Sequence, residues 1–500
     1  MTTVIRNARV IQTMDPVEVL EGVDIVVVDD LIRAVGRNAG SQVKADKVIE
    51  AEGKTVIPGM ICGHHHYYSG LSRGMQISAG PQTDLIQILK EWWWRLDRAL
   101  DEESLYYSSL ICTLDAIKNG TTTCIDHHES PNYISGSLST IAKGMERFGL
   151  RGIVAYGITD RNYGMKEIKA GVEEGIRFAK EVDDRKKRGE NVMCQAMVGG
   201  HAPFTIPEEG MEMLADSARQ TGRGAHIHVA EGEYDQVWSH HFYNMDILDR
   251  LDKHGLLADN TLLVHGIYLN EHEIDLLNER GCYLAHNPRS NMNNEVGYSK
   301  YLPKVRNLIL GTDGCGSNMF EESKIAFFKN RDANGPYWPG DYMRALTRAN
   351  TFIEKYFVGD RFGRIEPGYK ADLDIITYQN PTPLNAGNAA GHFVWGMSSN
   401  CVESVIINGK LVMENRQFDF DEKEIYAKAA EVAKKVWERT DALKADGTSG
   451  IVRYLFFLYY FYACRSMTID FMLRSTFHFG MPLCFSRING IYGWRNDGCT

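Results

Sequence analysis

Pro58-Gly59-Met60-Ile61-Cys62-Gly63-His64-His65-His66 is a short apolar run that breaks straight into three histidines. Side chains alternate across a strand, so His64 and His66 share one face and His65 points to the other. Two histidines on one face at a strand end make a metal-ligand pair, although the same triplet standing alone would equally fit a polar loop. Further runs of the same kind follow, ending at Asp126, Thr159, His201, His228/Glu231, His265, His286 and Asp313. Most of the segments between them are long enough for a helix, as in Ser104 to Lys118, closed by Gly120, and Pro207 to Thr221. The tightest gap, between His265 and His286, still holds a helix over Glu271 to Arg280. This repeat predicts an α/β chain whose centre, residues 58–360, closes into a TIM-like (β/α)8 barrel. Parallel strands in a barrel deliver all their C-terminal ends to one face, and the polar run-ends would meet there.

On either side the texture changes. Residues 1–57 mix β-branched runs with turn signals, as in Ile25-Val26-Val27-Val28-Asp29-Asp30, and similar runs return over 361–420, in Leu373-Asp374-Ile375-Ile376 and Val402 to Lys410. These two flanks are expected to pair into one small β-sandwich domain. Residues 421–447 carry Ile425, Ala429, Val432 and Val436 at helical spacing and predict a terminal amphipathic helix. From Thr448 to Thr500 there is no Lys and no Glu, while Phe and Tyr crowd Tyr454 to Tyr462. This atypical aromatic tail, 448–500, reads first as a translated non-native extension, such as a frameshift or read-through product. An interfacial or oligomer-contact segment is the alternative. Its apolar run spans eleven residues between Arg453 and Arg465, short of the roughly 20 that cross a bilayer, so a membrane span is not expected.

Composition narrows the class of partner. The 500 residues, 44% of them hydrophobic, suffice for one barrel plus something smaller. A formal net charge of −10 with no long basic run speaks against an electrostatic nucleic-acid binder and for a small-molecule partner. Met1-Thr2-Thr3-Val4-Ile5 moves directly into strand-like residues without the charged and apolar regions of a signal peptide, so a cytoplasmic location is expected. Ten scattered cysteines with no CxxC pair fit reduced, small core residues.

The chemistry sits at the run-ends. In Ala225-His226-Ile227-His228-Val229-Ala230-Glu231, His228 offers a metal ligand and Glu231 a nearby carboxylate, with His226 deeper as a hydrogen-bonded core histidine. Leu262-Leu263-Val264-His265-Gly266 presents one histidine at its tip, and Gly311-Thr312-Asp313-Gly314 presents an aspartate bracketed by glycines. Three histidines and one carboxylate suit Zn²⁺ or Fe²⁺, which acidifies a bound water to a usable nucleophile. Glu231 is placed to move a proton between water and a basic substrate atom, and His265 to hydrogen-bond the water or a developing oxyanion. Asp313 can serve as both ligand and proton acceptor. Trp94, in the triplet Trp92-Trp93-Trp94, is a candidate to stack on a flat ring, with a core role as the alternative. His128, in Asp126-His127-His128, is a candidate for the entrance or for a local hydrogen bond. Arg289 is a candidate to hold an anionic substituent or to brace a loop through Asn291, Asn293 and Asn294.

Taken together, Pro58-Gly59 ahead of His64 and His66, His226 to Glu231, Val264-His265-Gly266, His286-Asn287-Pro288-Arg289-Ser290-Asn291 and Gly311-Thr312-Asp313-Gly314 resemble the amidohydrolase superfamily. The likeness is to its mononuclear cytosine deaminase and triazine hydrolase branch and runs through about 445 residues. Tyr68 to Gly74, Trp93 to Asp101, Asp126-His127-His128 and Arg289 to Asn294 most resemble the SsnA aminohydrolases, which are associated with selenium-linked purine metabolism. This resemblance implies metal ligands His64, His66, His228 and Asp313, proton-handling by Glu231 and His265, and a substrate-side role for His201. Binuclear branches carry a modified lysine at the fourth strand end. Here that end reads Gly199-Gly200-His201, which favours one divalent metal, Zn²⁺ ahead of Fe²⁺. The implied activity is hydrolytic deamination of an aminated N-heterocycle such as a purine. Chlorohydrolase or cyclic amidine hydrolase chemistry and a non-catalytic metal-binding homologue stay open beside it. A homo-oligomer, specifically a dimer, is also implied.

Overall fold

The computed structural model describes residues 1–445, so both readings of the aromatic tail lie outside the described residues. Parallel strands Met60–His65, Thr121–His128, Arg151–Ile158, Ala225–Val229, Leu262–His265, Tyr283–His286 and Leu308–Leu310 run in barrel order, with a fourth strand broken at Met197 into Cys194–Ala196 and Val198–Gly200. A parallel bridge from His65 to Asp313 brings the last strand's end back to the first, leaving a nearly closed (β/α)8 barrel. Gly63 makes that approach possible: a Cβ there would lie 2.7 Å from both Ile309 Cδ1 and the Leu310 carbonyl oxygen. The helices between strands include Glu102–Lys118, Glu208–Thr221 and Glu271–Arg280. Their apolar faces, among them Leu105, Ile117, Leu214 and Leu277, are buried in the main core. Toward the strand starts, Ile61, Ile125, Ile153, Met197 and Leu262 pack with Phe352 and Ile353 of the helix Pro339–Glu354. That apolar plug closes the barrel at the end opposite the run-end histidines.

Strands from the two flanks pair directly. Leu373–Ile376 lies antiparallel against Thr55–Pro58, within an eight-stranded, mostly antiparallel sheet that also contains Thr2–Met14, Val17–Val28 and Val402–Ile407. Barrel and sheet are tied by a buried ion pair: Arg151 of the third barrel strand meets Asp372, which also accepts from Asn408 N at 2.7 Å. Removing one partner of such a pair strands the other charge. Asp372→Ala is therefore expected to cost about 3–5 kcal/mol, read as a lower denaturant midpoint; an unchanged midpoint would show that Arg151 finds water instead.

The terminal helix runs Glu422–Ala442 and ends before the expected 447, because Leu443 is already extended (φ −81°, ψ 139°). Its end is an anchor. Arg95 donates to the Thr440 and Asp441 carbonyls at 3.2 Å each, and Trp437 Nε1 donates to the Leu71 carbonyl at 2.8 Å. The segment carrying Trp93 and Trp94 is thereby fastened to the barrel. No helix among the described residues is long and apolar enough to cross a membrane.

Candidate active site

Four histidines and two carboxylates converge at the strand ends. His66 Nδ1–H donates to the His127 carbonyl at 2.6 Å, and His228 Nδ1–H donates to the His201 carbonyl at 2.6 Å. Each bond fixes a tautomer and turns Nε2 inward. The two Nε2 atoms consequently face each other at 3.3 Å, lone pair to lone pair, in a buried space. A proton on one of the two nitrogens, or a metal cation between them, relieves that arrangement. His64 is fully buried, its Nδ1 paired with His226 Nε2 at 2.9 Å and its Nε2 without a hydrogen-bond partner. Asp313 completes the group, with Oδ1 at 3.0 Å from His66 Nε2 and 3.8 Å from His64 Nε2, while Oδ2 accepts from Ser290 Oγ at 2.6 Å.

Electrostatics point the same way. Burial drives His64 and His228 well below their ordinary value, leaving neutral imidazoles suited to ligation. Burial also works against protonation of His66, yet its hydrogen bond and charge contact with Asp313 push it up to about 9. A positive charge is thus favoured between these groups. The nitrogen and oxygen donor set fits a divalent metal of the Zn²⁺ or Fe²⁺ type.

Glu231 and His265 stand beside this centre. Glu231 Oε2 lies 3.5 Å from His265 Nε2, and Asp313 Oδ2 lies 3.8 Å from the same nitrogen. His265 is oriented by Asn291 Oδ1, 2.8 Å from Nδ1, and Glu231 by Asn294 Nδ2, 3.2 Å from Oε1. Burial raises the Glu231 carboxyl above its usual range, which suits a group that must gain and release a proton. Ala230, His265 and Asp313 all hold positive φ (48°, 71° and 52°). Backbone strain gathered at one point is the mark of a site that over-determines its side chains.

A cavity opens over these groups, lined by His66, His228, Glu231 and Asp313 and walled by Tyr68, Trp93, Trp94, Phe204 and Tyr234. Leu89–Trp93 forms a π-helical turn that leads into Trp94–Ala99, setting both Trp93 and Trp94 against the cavity. His201 also lines it, held by Thr205 Oγ1 at 2.9 Å from Nδ1.

Two expectations require correction. Arg289 does not face the cavity, because its guanidinium is taken up by Glu322, by Glu321 at 2.9 Å and by the Gly316 carbonyl at 2.9 Å. It braces the loop, with its charge already neutralised. His128 is fully buried and bonded through Nε2 to Ser130 Oγ at 2.7 Å, so it lies behind the wall and not at the entrance. Conversely, the cavity wall includes Glu129, which the sequence reading passed over.

The profile of the amidohydrolase family matches residues 55–412. The chain belongs to the amidohydrolase family. It is 30% identical to a 5'-deoxyadenosine deaminase of Methanosarcina acetivorans, over 88% of this chain and 99% of that one. It is 28% identical to a 5-methylthioadenosine/S-adenosylhomocysteine deaminase of Syntrophomonas wolfei, over 87% and 99%. Among solved structures, an adenosine deaminase from Xanthomonas campestris with bound zinc superimposes with a TM-score of 0.73 at 24% identity, covering 87% of this chain and 98% of that one. That last likeness is one of fold. As an amidohydrolase this chain falls in a metal-dependent family, and its converging histidines could hold a metal ion.

Proposed function

We propose that this amidohydrolase is a zinc-dependent aminohydrolase that replaces an exocyclic amino group on a purine-type ring with oxygen. The observation that carries the reading is the placement of Glu231 and His265 next to converging Nε2 donors, under a cavity walled by flat aromatic rings. Relatives named as deaminases of adenosine derivatives support the purine class. His64, His66, His228 and Asp313 would hold the metal. When bound, the cation supplies a Lewis acid that lowers the pKa of water and stabilises developing negative charge.

The remaining work falls to side chains. Trp93 and Trp94 hold the ring by its faces and keep water away. Glu231 carries a proton to the ring nitrogen beside the amino-bearing carbon, which makes that carbon electrophilic. A new C–O bond forms from water at that carbon as one water O–H bond breaks, its proton going to Asp313, and the second water proton returns to Glu231 when the carbonyl forms. The C–N bond then breaks, its electron pair stays on nitrogen, and Asp313, with His265 beside it, passes the proton that lets ammonia depart. The net change is water consumed and one ammonia released per ring.

Conversion changes the ring's ultraviolet spectrum. Incubating the zinc-loaded full chain with 6-aminopurine nucleosides should shift the band; unchanged spectra from protein that retains its metal would refute the reading. Ser290 offers a finer check, since it holds the Asp313 oxygen that faces away from His66. Ser290→Ala is expected to weaken metal affinity by roughly 10- to 100-fold, measured by competition with a chelator. Unaltered affinity would show that the Ser290 hydrogen bond does not support the ligand set.

A further inference from the structure

Carboxylates in the cavity wall have different employment. Asp313 and Glu231 belong to the centre described above, and Asp235 accepts from Ala230 N at 2.8 Å. Glu129 does neither. It is 3% exposed, lines the cavity beside His201 and Trp94, and its Oε1 has no hydrogen-bond partner. The ring nitrogen closest to it, His127 Nδ1, stands 3.3 Å away and is likewise without a hydrogen-bond partner. His127 is itself fixed through Nε2–H to the Gly200 carbonyl at 2.9 Å, which holds Nδ1 beside the carboxylate at ion-pair distance without a hydrogen bond between them.

The barrel gives up a side chain to seat this group. At Gly157, in the third strand, a Cβ would stand 2.4 Å from His127 Cε1 and 2.6 Å from Glu129 Oε1. The cation in this part of the wall is already engaged, since Arg161 is bound to Asp97 at 2.8 Å and stacked 4.7 Å over the Trp94 ring. Glu129 thus has a charge contact with His127 but no hydrogen bond at Oε1, and a buried carboxylate short of hydrogen bonds favours a donor that arrives from the cavity. Glu129 comes from the end of the second strand and Glu231 from just beyond the fifth, so a ring held between them meets carboxylates from two directions.

We propose that Glu129 is a specificity-determining residue that accepts hydrogen bonds from a donor on the substrate other than the reacting amino group. The substrate class is then a purine-type compound bearing such a donor, either a second amino group on the base or the hydroxyls of a ribose. This rests on the aminohydrolase reading. An analogue lacking the donor leaves the buried carboxylate short of a hydrogen bond, which discriminates by roughly tenfold to hundredfold.

The test uses the zinc-loaded full chain and two pairs of compounds: adenosine with 2',3'-dideoxyadenosine, and 2,6-diaminopurine with adenine. In one pair the donor-bearing member should have a KM at least about tenfold lower. Glu129→Gln should erase that difference, raising KM for the donor-bearing member more than it lowers kcat. Discrimination in the first pair identifies ribose hydroxyls as the donor, and in the second the amino group. Equal effects of Glu129→Gln on both members of each pair, or no discrimination by the wild-type chain in either, would overturn the proposal. If Glu129→Gln does not fold, Glu129→Asp must show the same pairwise loss, and a uniform effect overturns it equally. Binding of the same compounds to Glu231→Gln, with and without Glu129→Gln, separates the two claims. Pairwise discrimination in binding without turnover by the wild type supports Glu129 and defeats the deaminase; turnover without discrimination does the reverse.

Discussion

Glu231→Gln lowers turnover by roughly 10²- to 10⁴-fold, the usual contribution of a positioned acid–base group, while the protein keeps its metal. Glutamine preserves the shape of the side chain and its contact with Asn294, but it cannot release a proton. The effect should fall on kcat, because proton delivery to the ring nitrogen is needed in the transition state and not for docking the ring. Steady-state kinetics with metal analysis of the same sample checks this. A variant that retains wild-type kcat would remove Glu231 from the chemistry and leave it as a neighbour of His265.

The second large effect is at the metal. His66→Ala removes one inward nitrogen and leaves His228 Nε2 and Asp313 Oδ1 without the partner each now meets, at 3.3 Å and 3.0 Å. Bound metal should fall from about one ion per chain to near zero, and activity with it. Chelation of the wild-type chain should give the same loss, restored by added Zn²⁺. The folded state should survive in both cases, because the apolar plug of Ile61, Ile125 and Ile153 lies in a separate cluster of the core. Full activity in chelated protein would exclude a metal-dependent reaction.

How much of this was legible in the chain depends on the length scale of each signal. Alternation within six residues separates His64 and His66, which enter the cluster, from His65, which lines a different cavity with Ser69, Arg73, Cys112 and Asp115. A polar residue ending an apolar run marked His228, His265 and Asp313 for the same reason: strand interiors are apolar and strand ends are not. The flanking strands were visible as β-branched runs, but the antiparallel register of Leu373–Ile376 on Thr55–Pro58 joins segments more than 300 residues apart and leaves no local trace. For Arg289 the loop-bracing alternative holds and the substrate-side one does not, since the carboxylates that neutralise it lie 32 and 33 residues further on, beyond any local pattern. Glu129 was overlooked because a glutamate directly after a strand ordinarily faces water. What seats it inside is the absence of a side chain at Gly157, a contact between neighbouring strands that no local pattern announces. The end of the terminal helix was set by backbone conformation at Leu443 and not by the spacing of Val432 and Val436.

The most direct measurement is ammonia released per ring converted, by the full chain loaded with one equivalent of Zn²⁺ and given aminopurines and their nucleosides, beside Glu231→Gln prepared in the same way. The expected result is one ammonia per ring from the wild type and a near-background rate from Glu231→Gln at equal metal content. Ring conversion without ammonia, or no conversion of any aminopurine by metal-replete protein, would contradict it.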